Sequence, residues 1–527
     1  MRSLSLALLC CAMAAMDLPP DTAYVQTTPE GNLHRGGQPV RYWGLVTAWA
    51  GSGVARDLEG PAHGQAVAEQ RRRIDAFVSR LPSLGFNHVR CWEGRYPQQR
   101  EELPLSNNHD YVPGDGSVAD AIAYGLAAMD RAGITVWMSS MGGSLGSVGP
   151  ADHRIIDDPA TAQAWQDALA EMVAAQDGKD VDLSKVGRGQ LAACVDERLE
   201  ALMIARMRKV ADFPNHYKDG LRLADDPQIV VWELSNEHFP FRHFFNGDWQ
   251  KLPAFFRNRF VQRWNDFLRQ EYGDDDGLRR AWGFLLPGES LADGSILLLP
   301  LAKPTSAELS VNDTNPEVAE RLTVARQRYT RDDFTRRRGA DVIRFAHDLV
   351  ISHKQRLAQA VRGFGKSCRL SPLIFDSGND FSIHAAWMHQ HADAVSTCSY
   401  AKGMGHDPND RRFPFYSQLE DSPSTGWDIP WFEQSTALDK PHFVYETMID
   451  NRTKYRAEYP LRVAALASIQ DWDIVIWHTY PGNDAKPDDA DRPFGRTIVH
   501  GFDYFTIRGD EVLLAALRAA GEAFIRH

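Results

Sequence analysis

The sequence predicts an α/β chain closed into a (β/α)8 barrel, the TIM-barrel arrangement, with one large helical insertion after strand four. Three observations carry this reading. Short apolar runs rich in Val, Ile and aromatics recur along the chain, each of strand length: "RYWGLV", "FNHVRCW", "ITVWMSS", "IVVWELS", "RLSPLIF", "DAVSTCS", "HFVYETM" and "DIVIWHT". Amphipathic segments of helical period separate all but the closing pairs. Glycines stand where such helices should stop, at Gly85, Gly133 and Gly363 or Gly365, just ahead of the next run. An open doubly wound sheet uses the same units, but no G-x-G-x-x-G follows the first run and eight runs fit closure better.

Taken in order, the chain begins with "MRSLSLALLCCAMAAMD", which has one early cation, a short apolar run and small residues, the layout of a secretory leader. Residues 1–15 are expected to be removed on export to the periplasm or the extracellular space. The run is too short to span a bilayer, so no membrane insertion is expected. Residues 16–527 are expected to form one elaborated barrel domain. Its helices are written in "QAVAEQRRRIDAFVSRLPSLG" before strand two, "DAIAYGLAAMDRAG" before strand three and "DVIRFAHDLVISHKQRLAQAVRGFG" before strand five. The insertion, residues 240–340, is far longer than a usual βα loop. It carries the amphipathic segments "RFVQRWNDFLRQEYG" and "DGLRRAWGFL", so folded helical decoration is expected, walling one side of the open face. The last helix is "DEVLLAALRAAGEAFIRH".

Composition narrows the function classes. Of the 527 residues 43% are hydrophobic and 24% charged, ordinary globular usage with material for a large core. The formal charge of −12 is spread without a basic block, which argues against a nucleic-acid partner. Cys10 and Cys11 lie in the leader; Cys91, Cys194, Cys368 and Cys398 are scattered without CxxC spacing, so neither a zinc site nor a dense disulfide framework is implied, and buried thiols are expected with a single disulfide as the alternative. The 18 His do not gather at strand ends in any H-x-H or HExxH pattern, and no metal or organic cofactor is expected.

In such a barrel the chemistry lies at the C-terminal ends of the strands. The polar residues closing the runs are Arg90 and Glu93 after the second, Asn236 and Glu237 after the fourth, Asp376 after the fifth, Tyr400 after the sixth, Glu446 after the seventh, and Trp477 and His478 in the eighth. Strands four and seven lie roughly across the barrel, so Glu237 and Glu446 can face each other over a bound group. Paired carboxylates are what acetal cleavage requires: one protonates the leaving oxygen while the other attacks or stabilises the cationic carbon.

"WELSNE" at strand four with "FVYET" at strand seven resembles clan A of the glycoside hydrolases, the retaining (β/α)8 enzymes that include the family 5 cellulases and mannanases and many β-galactosidases. Supporting stretches are "LGFNHVRCW", "NHYKDGLRLADDPQIVVWELSNE", "FLRQEYGDDDGLRRAW" and "YRAEYPLRVAALASIQDWD". The resemblance implies a glycosidase acting on a β-glycan or oligosaccharide by double displacement. Glu237 would be the general acid/base, Glu446 the nucleophile, and Asn236 the amide that bonds the sugar 2-hydroxyl. Arg90 would hold the nucleophile ionised, Tyr400 would donate to it, and Trp477 would be the floor on which a sugar ring packs. Many members end strand six with His-x-Tyr; here the matching positions are Cys398, Ser399 and Tyr400. A transglycosylase using the same residues, or a non-catalytic carbohydrate-binding barrel, are the alternatives.

The structural readings stand beside these. Arg90 can form an inward ion pair with Glu233 one layer below, and Glu233 itself is assigned to structure. Trp477 can be barrel packing. Trp43, Trp49 and Trp92 divide evenly between core filling and sugar stacking, Asp376 and His478 lean to structure, and Asn379 to a turn.

Overall fold

Each of the eight apolar runs forms a strand: β1 (Tyr42–Ala48), β2 (His88–Trp92), β3 (Thr135–Ser139), β4 (Ile229–Glu233), β5 (Leu373–Ile374), β6 (Val395–Ala401), β7 (His442–Ile449) and β8 (Ile474–Trp477). The computed structural model describes residues 18–48, 64–92, 109–139, 158–174, 191–298, 337–377, 383–401, 432, 437, 439–449, 455–478, 507 and 510–526. The strands hydrogen-bond in the order β5-β4-β3-β2-β1-β8-β7-β6, every pair parallel. The two end strands follow one another in the chain. Asp393 N, just ahead of β6, donates to Leu373 O of β5 at 3.1 Å, which brings the ring close to closure.

Strand five is shorter than its apolar run. Lys366–Leu370 winds into a short helix, and Pro372 offers β4 only its carbonyl, which accepts from Trp232 N at 2.9 Å, so the strand proper runs only from Leu373. Gly365 precedes that helix for lack of space: a Cβ there would lie 2.5 Å from Ala224 O. Gly85 (φ +83°) and Gly133 (φ +73°) turn the chain out of helices in the left-handed region that favours glycine.

The two-residue strand alternation sorts the side chains. Tyr42, Val46, Trp137, Val231, Phe443, Ile474 and Ile476 fill the barrel interior. Trp43, Leu45, Val89, Val136, Met138, Val475 and Trp477 face outward and bury against helix residues such as Ile74, Phe77, Leu126 and Leu517. Ahead of β1 a small antiparallel meander, Val25–Thr27, Leu33–Arg35 and Gln38–Pro39, goes unannounced in the apolar pattern because its strands are so short. It sends Val25 and Leu33 into the interior cluster beside Tyr42 and Ile474, the first residues of β1 and β8. Leu33 N donates to Asp473 Oδ1 (2.7 Å), and His442 N to its Oδ2 (3.2 Å); burial pushes the Asp473 carboxyl up to about 7.

The first part of the insertion is helical as its period predicts. Ala254–Tyr272 buries Phe256, Phe260, Trp264 and Leu268, spaced one turn apart, and Asp275–Trp282 buries Leu278 and Trp282. Trp264 packs on Trp282 (ring centroids 6.2 Å) and on Phe345 (5.4 Å) of the long helix Arg338–Arg362. Residues 299–336 of the insertion lie outside the described residues, as do the leader, Glu93, Trp49 and Asn379. Among the described residues no helix is long and apolar enough to cross a membrane.

Candidate active site

The site grows from one buried cation. Register places Arg90 of β2 opposite Val46 of β1 and Trp137 of β3, so its side chain enters the interior at their level. Arg90 is fully buried, with its guanidinium carbon 5.2 Å from the ring centres of both Trp137 and Tyr445. A charge cannot rest there alone. Glu233, the last residue of β4, answers it in a two-pronged pair, Nη2 to Oε1 at 2.8 Å and Nε to Oε2 at 3.2 Å, and Trp137 Nε1 donates to Oε2 at 2.8 Å. Burial pushes the Glu233 carboxyl up while Arg90 opposes the shift. Burial also works against the Arg90 charge, but Glu233 and then Glu446 outweigh it and raise its pKa.

The rest of the guanidinium faces the barrel mouth. Nη1 donates to Glu446 Oε1 (2.9 Å) and Nη2 to Asn236 Oδ1 (2.7 Å). The other Glu446 oxygen accepts from the Tyr400 hydroxyl and lies 4.0 Å from His478 Nε2. Burial first, then the neighbouring Glu446, raise the Tyr400 phenol well above its ordinary value, which keeps it a donor.

A kink in β7 decides where Glu446 points. Strict alternation would send Tyr445 inward and Glu446 out with Val444 and Met448. The pairing of β7 shifts register against β6 between Thr397 and Cys398, and against β8 between Val444 and Thr447. An irregularity of this kind re-aims a side chain. Tyr445 and Glu446 therefore both serve the inner side: the Tyr445 ring lies against Arg90, its hydroxyl donates to Glu237 Oε1 (3.1 Å), and Glu446 meets Arg90 from the next position.

Glu237 comes from the segment that leaves β4. Asn236 bridges to Ser377, and Glu237 N donates to Ser377 O at 3.0 Å, so the segment lies along the chain emerging from β5. Glu237 (φ +52°) and Phe239 (φ +44°) both occupy the left-handed region without being glycine. Such a conformation costs on the order of 1–3 kcal/mol per residue and persists only where surrounding contacts enforce it. Asp376 supplies contacts, accepting from His238 N (3.3 Å) and Phe239 N (3.1 Å).

Five of the six residues to which the resemblance assigns a role thus share one cluster: Arg90, Asn236, Glu237, Tyr400 and Glu446. Trp477 does not join them. It is wholly buried on the outer side of the wall, against Trp43 (5.3 Å) and Tyr459 (5.8 Å), so the expectation of a sugar-stacking floor there is corrected to core packing. The reason is the alternation of β8: Ile474 and Ile476 point in, Val475 and Trp477 out. The next residue, His478, is the one that reaches toward Glu446. Trp43 is also outward core, and Asp376 is a loop anchor. Glu233 is structural, as read, yet it shares its cation with Glu446. Trp137 and Tyr445 are the partners that sequence reasoning missed; both sit in apolar runs where an aromatic reads as filling.

Cys398 stands buried beside the carboxylates, and burial holds its thiol far above the ordinary value, with Glu237 and Glu446 adding to the shift. Cys91, Cys194 and Cys368 are likewise buried thiols. Among the described residues no group of three or more His, Cys, Asp or Glu could hold a metal ion.

No protein-family model and no curated protein matches the sequence. Solved structures do resemble it. The glycoside hydrolase family 5 mannosidase of Rhizomucor miehei aligns at 12% identity and TM-score 0.49 over 96% of this chain and 98% of that one. The endo-β-1,4-mannanase of Thermotoga petrophila aligns at 11% identity and TM-score 0.44 (93% and 78%), and the β-galactosidase of Halorubrum lacusprofundi at 14% and 0.44 (92% and 58%). By their names the three are a mannosidase, a mannanase and a β-galactosidase, and the likeness to them is one of fold.

Proposed function

We propose that the protein is a retaining glycoside hydrolase that cleaves β-linked glycosidic bonds in a glycan or oligosaccharide by double displacement. The observation that carries the reading is the unequal treatment of two carboxylates at one barrel mouth. Glu446 is buried, and its two oxygens accept from Arg90 and Tyr400, donors that favour the ionised, attacking form. Glu237 is less buried and stands on the loop above β4, where a leaving group can reach it.

In this reading Glu446 attacks the anomeric carbon while Glu237 gives its proton to the departing oxygen, leaving a glycosyl ester on Glu446. Glu237, now ionised, takes a proton from water as that water attacks the same carbon and releases Glu446, so the sugar keeps its configuration. Arg90 fixes the oxygen end of the Asn236 amide, which turns the NH2 end to the mouth to donate to the sugar 2-hydroxyl. Charge developing on the sugar ring in the transition state strengthens that bond. Residues 1–15 act as an export leader, which N-terminal sequencing of secreted protein would test.

The test is a panel of aryl β-D-glucosides, mannosides and galactosides together with β-glycans, products followed by NMR. Wild type should form the retained anomer first, and Glu446→Ala and Glu237→Gln should each nearly abolish turnover while remaining folded. An inverted first product, or full activity in either variant, refutes the assignment. Product analysis at high acceptor sugar separates hydrolysis from transglycosylation.

A further inference from the structure

We propose that Lys354, Ser235 and Asp376 form a buried positioning unit that sets the reach of Glu237. This rests on the acid/base reading of Glu237 given above. None of the three touches the reacting atoms, so they are positioning residues.

Lys354 lies on the helix Arg338–Arg362 and is fully buried, and its Nζ donates to Ser235 Oγ at 2.7 Å. Ser235 Oγ stands 3.0 Å from both Asp376 Oδ1 and the Phe375 carbonyl oxygen. The Asp376 carboxylate then accepts from the backbone N–H of His238 and of Phe239, the two residues that follow Glu237. On the other flank Ser377 N donates to Ser235 O, and Glu237 N to Ser377 O, each at 3.0 Å. The left-handed Glu237 is therefore bracketed on both sides by groups that meet at Asp376 and Ser377.

Burying an ammonium and a carboxylate on a helix and a strand end is expensive where apolar side chains would pack as well. Burial works against the charge on each, and the opposite charge of the other opposes that loss. What the pair does here is hold two backbone N–H groups that a left-handed turn presents on one side. Without the ammonium, Asp376 becomes an isolated buried carboxyl that takes up a proton and loses grip on the turn. Glu446, held from β2 and β6 by Arg90 and Tyr400, should be unaffected. The unit thus tunes the proton donor without tuning the nucleophile.

That split can be read from leaving groups. A 2,4-dinitrophenyl glycoside departs without a proton, whereas a phenyl glycoside needs one. For the aryl glycoside series that wild type accepts best, Lys354→Met and Asp376→Asn should lower kcat/KM tenfold or more on the phenyl substrate and less than threefold on the dinitrophenyl substrate. Added azide should raise dinitrophenyl turnover in both variants by forming the glycosyl azide: its nitrogen bonds the anomeric carbon as the ester bond to Glu446 breaks, and no base is needed. Introduced into Glu237→Gln, either change should add no further loss. Ser235→Ala, a milder change, is read in the same way should Lys354→Met fail to fold. Equal losses on both substrates, or none on either, overturn the inference while the glycosidase reading stands. Wild type inactive on every glycoside, or Glu237→Gln equally impaired on both, overturns the acid/base reading and this inference with it.

Discussion

Replacing Arg90 by methionine tests the centre of the site, because it keeps a similar stem and removes the charge that two carboxylates share. The guanidinium reaches Glu233 in three contacts (2.8, 3.0 and 3.2 Å), Glu446 in one (2.9 Å) and Asn236 in one (2.7 Å), all in the buried interior of the barrel mouth. Breaking a buried pair by removing one partner costs about 3–5 kcal/mol, since the orphaned carboxylate has no water to turn to. Against a typical stability of about 5–15 kcal/mol the variant should remain folded but weakened. Glu233 can relieve the cost by taking up a proton. Its folded pKa is raised by burial above its unfolded value of about 4.3, so the folded state binds the extra proton and the deficit should shrink as pH falls from about 8 toward that value. The double variant Arg90→Met/Glu233→Gln removes the orphan, and Trp137 Nε1 still finds an acceptor in the glutamine. It should regain most of the lost stability. Activity should not return, because Glu446 still lacks a charge-assisted bond of about 1.5–3 kcal/mol, roughly tenfold to a hundredfold in kcat/KM. Urea unfolding at both pH values, followed by tryptophan fluorescence, and kcat/KM on the best aryl glycoside decide the matter. A loss below about 1 kcal/mol in the single variant, or activity recovering along with stability in the double one, would show that Arg90 does not divide its charge as described.

Three further outcomes follow from the same geometry. Tyr400→Phe removes a hydroxyl bonded to Glu446 and should lower kcat/KM by about tenfold to a hundredfold with little change in Tm; unchanged kinetics would sink the donor role. Trp477→Ala should cost about 3–5 kcal/mol by leaving a cavity against Trp43 and Tyr459, with KM within about twofold of wild type; raised KM with stability intact would return Trp477 to the sugar site. At Asp473 the folded pKa of about 7 exceeds the unfolded one of about 3.9, so the folded state binds more protons between these values and stability falls as pH rises through that window. Asp473→Asn lacks this term and should gain on wild type by up to about 4 kcal/mol from pH 4 to 7, measured by denaturant titration; a constant difference across that range would contradict the burial argument.

Much of the site was legible because carboxylates and an arginine that close apolar strands are costly unless used. Arg90, Glu237 and Glu446 stand out on that ground, and Asn236 and Tyr400 follow as their neighbours. Trp137 and Tyr445 were not legible, since an aromatic in an apolar run looks the same whether it fills space or holds a charged group. Trp477 was misplaced for a related reason: a run such as "DIVIWHT" gives the strand but not which parity faces inward, and one position exchanges wall packing for the mouth.

The sequence by itself pointed to the barrel, because eight buried runs set among amphipathic segments, with no G-x-G-x-x-G after the first, fit a parallel sheet curling toward closure better than an open one. It also named the two carboxylates. Only the tertiary structure decided how they are treated. The register irregularity in β7 that brings Tyr445 and Glu446 to the same side, the sharing of Arg90 with Glu233, and the anchoring of the turn at Glu237 by Asp376 and Lys354 all arise between segments far apart in the chain. Local propensity carries no record of such pairings, because each is fixed by which strands become neighbours when the ring forms.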